Sequence, residues 1–373
     1  LTLADQDYQT YIVEKSGLLG GQARHLTNTW QGKDIGGFLE DLTGRVAAHD
    51  KIQVFTKTTL SGVDGFIGNF KTTFEQEDKT QTLEHGVTIV ATGGDEFKPD
   101  GYLYGQDPRV MTGLEFKQGL KDKKEFGNSR SAVFIQCVGS RIEERAYCSK
   151  VCCTQSVQSA LALKAENAGM QIYILYRDLR TYGLREDLYR KARDSGIKFI
   201  RYDNEIGIEV SAGSEGLAID LTDRVLRRRM QINSDLLILA SAIITDKNSP
   251  LTKLYKIPQN DDGFFAEAHV KLRPNDFATD GVFVCGLAHA PKPIDESITQ
   301  AQAAASRAVT VLAALEVSVS GTVALVDPNM CSQCGVCVSI CPYGAPSFNA
   351  KTGNAEVQAT LCKGCGLCVA SCR

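Results

Sequence analysis

Cysteine is the residue type in this sequence whose spacing most clearly predicts chemistry. The chain has 13 cysteines, of which eight lie between Cys331 and Cys372 and four between Cys137 and Cys153. A chain of 373 residues can bury an adequate core without disulfide bonds. Clustered cysteines in a chain of this size therefore predict metal sites.

The C-terminal cysteines form two copies of the pattern C-x2-C-x2-C-x3-C, the run of bacterial ferredoxins that hold two [4Fe-4S] clusters. Three thiolates at this spacing can wrap a tight loop around three irons, and the fourth binds the other cluster. The predicted ligand sets are Cys331, Cys334, Cys337 and Cys372 for one cluster, and Cys362, Cys365, Cys368 and Cys341 for the second. The alternative, two zinc sites, would favour paired CxxC knuckles with wider gaps.

A second set of cysteines follows the strand-like segment SAVFIQ with the spacing C-x10-C-x3-CC. Its members are Cys137, Cys148, Cys152 and Cys153. Four thiolates at one strand-to-helix junction suit a third [4Fe-4S] cluster, with a zinc site or a redox-active thiol pair as alternatives. The remaining cysteine, Cys285, is interpreted as a buried structural thiol.

Strand-like and helix-like segments alternate between residues 125 and 244, which predicts a doubly wound parallel α/β domain. Residues 1–124 and 245–318 are predicted to form a discontinuous domain that brackets it, and residues 319–373 a ferredoxin domain. The predicted fold class is therefore α/β, with two Rossmann-like domains and an α+β domain for two [4Fe-4S] clusters. The polar stretch KQGLKDKKEFGNSR is interpreted as a linker.

Composition excludes several classes of protein. The net charge of −3 gives no reason to expect a nucleic-acid partner, and the basic run LRRRM is interpreted as a solvated hairpin. No apolar run approaches the roughly 20 residues of a membrane span, and no signal peptide is evident. We therefore expect a soluble cytoplasmic protein. Because the sequence begins with Leu1 and ends one residue after Cys372, we also expect a fragment of a longer polypeptide.

Three segments resemble flavoproteins that bind two dinucleotides. The strand ending in Glu14 resembles the strand whose terminal acid binds the adenosine ribose. VTIVATGG and TDGVFVCGLAH resemble the later strand ends, and a helix starting near Ser297 would direct its N-terminal dipole at the flavin. The residues that this resemblance assigns to FAD are Glu14, Lys15, Gly20, Gly21, Gln22, Ala91, Thr92, Gly93, Gly286, Leu287, Lys292, Ser297 and Ile298.

Two features depart from the flavoprotein pattern. The GxGxxG fingerprint that should precede the Glu14 strand is missing, and we expect it upstream of Leu1. Leu287 stands where many relatives have Asp, so the contact to the ribityl chain must be made differently.

Together, FIQCVGSR, YCSKVCC, LYRDLRTYG, LRPNDFATDGVFVCGLAH and PKPIDESITQAQAAASRA resemble the iron–sulfur flavoprotein subunit of heterodisulfide reductase over nearly the whole chain. The resemblance implies FAD, three [4Fe-4S] clusters and flavin-based electron bifurcation, with the C-x10-C-x3-CC set where nicotinamide nucleotide would dock in relatives. The extra ferredoxin insertion of methanogen members is not evident between Gly68 and Gly94. Gln158 stands where those members tend to have Lys.

The resemblance also implies partners: other heterodisulfide-reductase-type subunits, a hydrogenase or formate dehydrogenase donor, and ferredoxin. Lys292 and His289 would lie near the flavin, with Lys292 a candidate catalytic residue that stabilises charge at N1 or N5. One alternative is a non-bifurcating relay subunit, in sulfate-reducer membrane electron transfer or in an aromatic acyl-CoA reductase. An NAD(P)H-dependent disulfide reductase is disfavoured because no cysteine follows Gly20 and Gly21, and a carrier without flavin is a third alternative.

Overall fold

The computed structural model describes residues 1–76, 79–213, 216–316 and 322–373. The N-terminal part contains β1 (Thr10–Val13), α1 (Ile35–Ala48), β2 (Ile52–Phe55), β3 (Thr58–Phe66), β4 (Asn69–Gln76), β5 (Lys79–His85), β6 (Thr88–Val90) and β7 (Asp95–Glu96). The middle part contains β8 (Val110–Thr112), α2 (Gly113–Lys121), β9 (Ser131–Val138), α3 (Cys152–Glu166), β10 (Gln171–Tyr176), α4 (Glu186–Asp194), β11 (Lys198–Arg201), β12 (Ile208–Gly213), β13 (Gly216–Asp223), β14 (Arg228–Ser234) and β15 (Leu236–Ser241). The remaining elements are β16 (Ile243–Ile244), α5 (Leu251–Leu254), β17 (Val282–Val284), α6 (Ile294–Leu312), α7 (Val336–Ile340), β18 (Pro346–Phe348), β19 (Ala355–Val357) and α8 (Leu367–Ala370).

A five-stranded parallel sheet forms the centre of the middle part, in the order β11-β10-β9-β15-β8. Its central strands read as almost continuous apolar runs because both of their faces are covered. Ile135 of β9 pairs with Leu175 of β10 and with Leu239 of β15, and all three side chains are fully buried. The predicted parallel α/β arrangement is confirmed. The sheet also includes β8, which precedes the predicted domain start at residue 125.

The stretch interpreted as a linker is partly helical, so that interpretation was wrong. Helix α2 runs to Lys121, and it begins with a capping box in which Thr112 and Glu115 satisfy each other's backbone N–H groups. Its apolar face packs Phe116 against Phe126 and Phe134. The charged residues of the stretch hid this face from the sequence pattern.

The antiparallel sheet β12-β13-β14 covers the opposite face of the parallel sheet. The hairpin joining β13 to β14 contains the basic run that begins at Leu226, and Val225 and Leu226 at its tip are exposed. The predicted solvated hairpin is therefore confirmed.

The bracketing part contains two parallel strand pairs, β1 with β2 and β6 with β17. The two pairs belong to separate sheets in the described residues. An antiparallel sheet, β3-β4-β5, and the short pair β7-β16 complete it. Its core surrounds Phe277, which is fully buried, and helix α6 packs behind Phe283 through Ala304 and Ala308.

The C-terminal unit places α7 and α8 beside the antiparallel pair β18-β19. Lys256 Nζ donates to the Tyr343 carbonyl at 3.2 Å, and Lys363 forms an ion pair with Asp280. The unit therefore contacts the bracketing part through residues next to its cysteines. Across the described ranges, no helix has both the length and the apolar character needed to cross a membrane.

We expect Phe134→Ala to lower the free energy of unfolding by about 3–5 kcal/mol, because Phe134 is fully buried between α2 and the parallel sheet. Urea unfolding followed by circular dichroism measures the change. The control is Leu226→Ala at the exposed hairpin tip, with an expected change within about 0.5 kcal/mol. Equal effects of the two substitutions would contradict the packing described here.

Candidate functional site

The four internal cysteines meet where β9 leads into the loop before α3. Cys137 is the second-last residue of β9, and Cys152 and Cys153 begin α3. The chain turns sharply after β9 because Cys137 and Gly139 both have left-handed backbone angles, with φ of 62° and 74°. The strand end and the helix start therefore direct thiols into one place.

Electrostatic interactions show that these thiols are close neighbours. Burial raises the pKa of Cys152 well above its ordinary value, and negative charge on Cys153, Cys137 and Cys148 would raise that pKa further. Burial likewise raises the pKa of Cys153 to about 11, with smaller contributions from Cys137 and Cys148. Bare thiolates are thus disfavoured here. A metal would have to displace thiol protons on binding, as it does in cysteine sites generally.

Hydrogen-bonding groups surround the thiols. The Lys150 N–H donates to Cys148 Sγ at 3.3 Å, and the Cys152 thiol lies 3.6 Å from the Ser241 carbonyl. Burial raises the pKa of Cys137, while the nearby positive charges of Arg141 and Arg177 oppose this rise. Groups of this kind surround and tune protein-bound iron–sulfur clusters.

No three Cys, His, Asp or Glu side chains converge on a single metal-ion position anywhere in the described ranges. A [4Fe-4S] cluster does not require such convergence, because each of its four irons takes a different cysteine. The donor set at this junction therefore fits a cluster: four thiols, mutually close and shielded from solvent.

In the C-terminal unit, one cavity of about 120 Å³ gathers cysteines from both ferredoxin runs. The cysteines that line it are Cys341, Cys362, Cys365 and Cys368. This is the crossed ligand set that the spacing predicts, with Cys341 contributed by the first run. Gly366, with φ of 77°, begins α8 and lets the loop of the second run close around the cavity.

The other ferredoxin set is less closely gathered. The charges of Cys331 and Cys334 contribute to raising the pKa of Cys337, after burial. The Val336 N–H and the Ser332 hydroxyl lower the pKa of Cys334, and the charge of Arg373 adds to this effect. Arg373 directly follows Cys372, so the end of the chain lies near the first run. The assignment of Cys372 to this cluster stays a prediction.

The ends of β6 and β17 lie side by side, as expected for the predicted flavin site. Gly93 and Gly286 have left-handed φ angles of 79° and 70°, and no atom lies within 4 Å of where a side chain would begin at either position. A Cβ at Gly94 would lie 3.5 Å from Leu287. Ala91 and Thr92 are exposed at the end of β6. These strand ends present open backbone to a ligand.

Lys292 folds back over the end of β17. Its ammonium donates to the carbonyls of Gly286 at 2.7 Å and Ala290 at 2.9 Å. Burial and the charge of Lys150 lower the pKa of Lys292 to about 8. His289 lies between Gln300 and Glu267, at 2.8 Å from each. The two residues predicted near the flavin are therefore held at the strand end by defined contacts.

The loop after β1 approaches the end of β6. The Glu14 carboxylate accepts from the Ser16 N–H at 2.7 Å, and the Gln22 amide lies 3.5 Å from Asp95. Gly21 has a left-handed φ of 45° with open space beside it, and a Cβ at Gly20 would lie 2.8 Å from Leu39. Lys15 is exposed beside Glu14. The structure thus brings most of the predicted FAD residues to one edge.

Helix α6 begins at Ile294, earlier than the predicted start near Ser297. Pro293 explains the earlier start, since its fixed φ and missing N–H suit the first turn of a helix. Ser297 donates to the Pro293 carbonyl at 3.1 Å, and Ile298 is exposed on the same helix.

Two ion pairs, which the sequence analysis missed, join the cysteine loop and its domain to α6. Lys150, between Cys148 and Cys152, pairs with Glu296, and Arg185 pairs with Asp295 at 3.4 Å. The partners are more than a hundred positions apart, so no local pattern could have indicated them. They bring the thiols to the side of α6 that faces the predicted flavin site.

Comparison with known proteins places the chain. Residues 324–373 match the model of the 4Fe-4S dicluster domain family. In the H(2):CoB-CoM heterodisulfide,ferredoxin reductase of Methanothermobacter thermautotrophicus, one subunit is 30% identical over 96% of this chain and 68% of that protein. The chain belongs to the family of iron–sulfur flavoprotein subunits of heterodisulfide reductase. It is accordingly an oxidoreductase subunit, as the sequence resemblance predicted.

Further similarities of this heterodisulfide reductase homologue agree with that assignment. A protein of Archaeoglobus profundus, named for its likeness to the same heterodisulfide reductase subunit, is 39% identical over 70% of this chain and 42% of that protein. The thioredoxin reductase of Lactococcus lactis superposes with a TM-score of 0.58 at 15% identity, over 84% of this chain and 93% of that one. The fold is thus that of a thioredoxin-reductase-like flavoprotein with a 4Fe-4S dicluster domain at its C-terminal end.

We expect Gly139→Ala to destabilise this protein by about 1–3 kcal/mol, because the new Cβ would lie 2.2 Å from the Phe97 ring at a left-handed φ. Gly183→Ala is the control, since Gly183 has a similar φ of 65° with open space beside it. Urea unfolding of both variants separates steric clash from backbone strain. Equal destabilisation would show that the Phe97 contact does not constrain the loop.

Proposed function

We propose that the chain is the FAD- and iron–sulfur-containing electron-transfer subunit of a heterodisulfide-reductase-type complex. In this proposal it holds one FAD and three [4Fe-4S] clusters. The observation that carries the proposal is the ion pair between Lys150 and Glu296. This contact sets the four-thiol junction directly against the helix that begins beside the predicted flavin site.

FAD would be held by the glycine-rich backbone at the ends of β1, β6 and β17, with Glu14 at the ribose. Gly93 and Gly286 support this assignment because a side chain at either would enter the open space beside the strands. When bound, FAD supplies the exchange between two-electron and one-electron transfer. Lys292 would place a positive charge at the flavin, since its ammonium already lies at the end of β17.

The cluster at Cys137, Cys148, Cys152 and Cys153 would take the place of the nicotinamide nucleotide of related flavoproteins. The thiols occupy the junction between the first strand of the inserted domain and its helix, where Rossmann-like folds bind phosphate groups. A cluster here would give the flavin a one-electron partner. The chain would then receive its electrons from another protein instead of from NAD(P)H.

In the complex, the chain would pass electrons from a hydrogenase or formate dehydrogenase module to ferredoxin and to a disulfide-reducing subunit, by flavin-based bifurcation. The names of relatives support these partners: one belongs to an H(2):CoB-CoM heterodisulfide,ferredoxin reductase and another to an H(2)/formate:CoB-CoM heterodisulfide,ferredoxin reductase. The ferredoxin unit would carry electrons between the body of the chain and these partners, because Lys363, next to Cys362, pairs with Asp280 of that body.

A non-bifurcating relay is the second candidate, and Gln158 favours it. Its uncharged amide donates to the Thr29 carbonyl at 2.7 Å, so this position links two domains and adds no charge near the flavin. Potentiometry of the bound flavin separates the two functions. Bifurcation requires that the second electron to leave the reduced flavin do so at a lower potential than the first, whereas a relay does not.

We expect Cys153→Ala to remove one [4Fe-4S] cluster, so that iron content falls from about twelve to about eight per chain. The electron paramagnetic resonance signals of the C-terminal clusters should persist. Cys285→Ala is the matched control, because Cys285 is also buried but stands apart from both cysteine sets. An unchanged spectrum in Cys153→Ala would refute its role as a ligand.

We also expect that NADH does not reduce the flavin of the purified chain when no other protein of the complex is present. The physical reason is that the cysteine loop occupies the junction where the nicotinamide nucleotide would bind. Anaerobic absorbance titration measures the reduction, with dithionite as the positive control. Prompt bleaching of the flavin by NADH would contradict the proposed replacement.

A further inference from the structure

Lys117 is a buried charge for which the proposed electron path has given no role. It lies on helix α2 and only 5% of it is exposed. No hydrogen bond or ion pair joins its ammonium to another group in the described part of the chain. A buried ammonium without a partner is costly, so its place in the fold calls for an explanation.

The side chain lies at a small cavity that it shares with the cysteine junction. The cavity measures about 20 Å³, room for one water molecule, and Lys117, Cys152, Ser156 and Ser241 are among its lining residues. The Ser241 hydroxyl is buried and has no partner in the described residues. Its carbonyl lies 3.6 Å from Cys152 Sγ. One water here would find polar groups on both sides and connect the ammonium with the thiol region.

The other charged group of the cavity wall is already neutralised. Glu96 pairs with Lys98 at 2.9 Å, and it accepts from the Thr112 hydroxyl at 2.6 Å and from the Leu114 N–H at 3.1 Å. Burial lowers the pKa of Lys117 to about 8, so most of the population remains cationic at neutral pH. The thiols at the cavity are therefore the remaining source of negative charge for this ammonium.

We propose that Lys117 is a buried counter-charge for the cluster held by Cys137, Cys148, Cys152 and Cys153, acting through the cavity beside Cys152. This inference rests on the proposed function. A cluster with four thiolate ligands is anionic and becomes more negative on reduction, so a fixed positive charge nearby favours the reduced form. Lys117 is thus a positioning residue that raises the reduction potential of this cluster.

The test is a redox titration of the full chain, reconstituted with iron and sulfide and followed by electron paramagnetic resonance. Cys153→Ala identifies which signal belongs to this cluster. In Lys117→Met, which keeps the length of the side chain and removes its charge, the midpoint potential of that signal should become more negative. Lys117→Gln, a neutral variant that can still bind a water molecule, should shift it in the same direction. The signals of the C-terminal clusters should stay in place in both variants.

Lys121→Met is the matched control. It removes the same charge one helical turn further along α2, but Lys121 is exposed and donates to the Arg24 carbonyl at 2.9 Å. Its potential should equal that of the wild type. An unshifted potential in both Lys117 variants, with the cluster signal present, would overturn the counter-charge and leave the proposed function intact. A wild-type protein with no signal that depends on Cys153 would overturn the proposed function itself.

Discussion

Four buried thiols at one strand-to-helix junction are the constraint on which the rest of this structure depends. Their burial disfavours bare thiolates, since it raises the pKa of Cys152 and of Cys153. An iron–sulfur cluster resolves this conflict because it binds the thiolates and spreads their charge over its irons and sulfides. The same cluster would fill the region where related flavoproteins bind a nicotinamide nucleotide, and this changes the electron donor from a hydride carrier to another protein.

The contacts around the junction support that role. Lys150 ties the cysteine loop to Glu296 on α6, and Lys292 covers the nearby end of β17. Three cationic side chains, on Arg141, Lys117 and Lys292, therefore surround a region where electrons would accumulate. Favourable charge of this kind sets reduction potentials as much as the identity of the ligands does.

The parts of the fold that depend on local pattern could be predicted from the sequence. The apolar strands around Ile135 indicated the parallel sheet, and the regular cysteine spacing indicated the crossed set that includes Cys341. The missed features depend on contacts distant in sequence or on atypical surroundings. Lys117 lies in a polar stretch that resembles a linker, and the partners Lys150 and Glu296 are 146 positions apart. Periodicity carries no information about either.

The central claim is that iron occupies the junction of Cys137, Cys148, Cys152 and Cys153. Anomalous diffraction from crystals of the anaerobically purified protein, collected on both sides of the iron and zinc absorption edges, tests it most directly. The account predicts a strong peak at the iron edge among these four sulfurs, with continuous density for a cubane cluster. A peak that appears only at the zinc edge, or density for a pyridine nucleotide in its place, would contradict it.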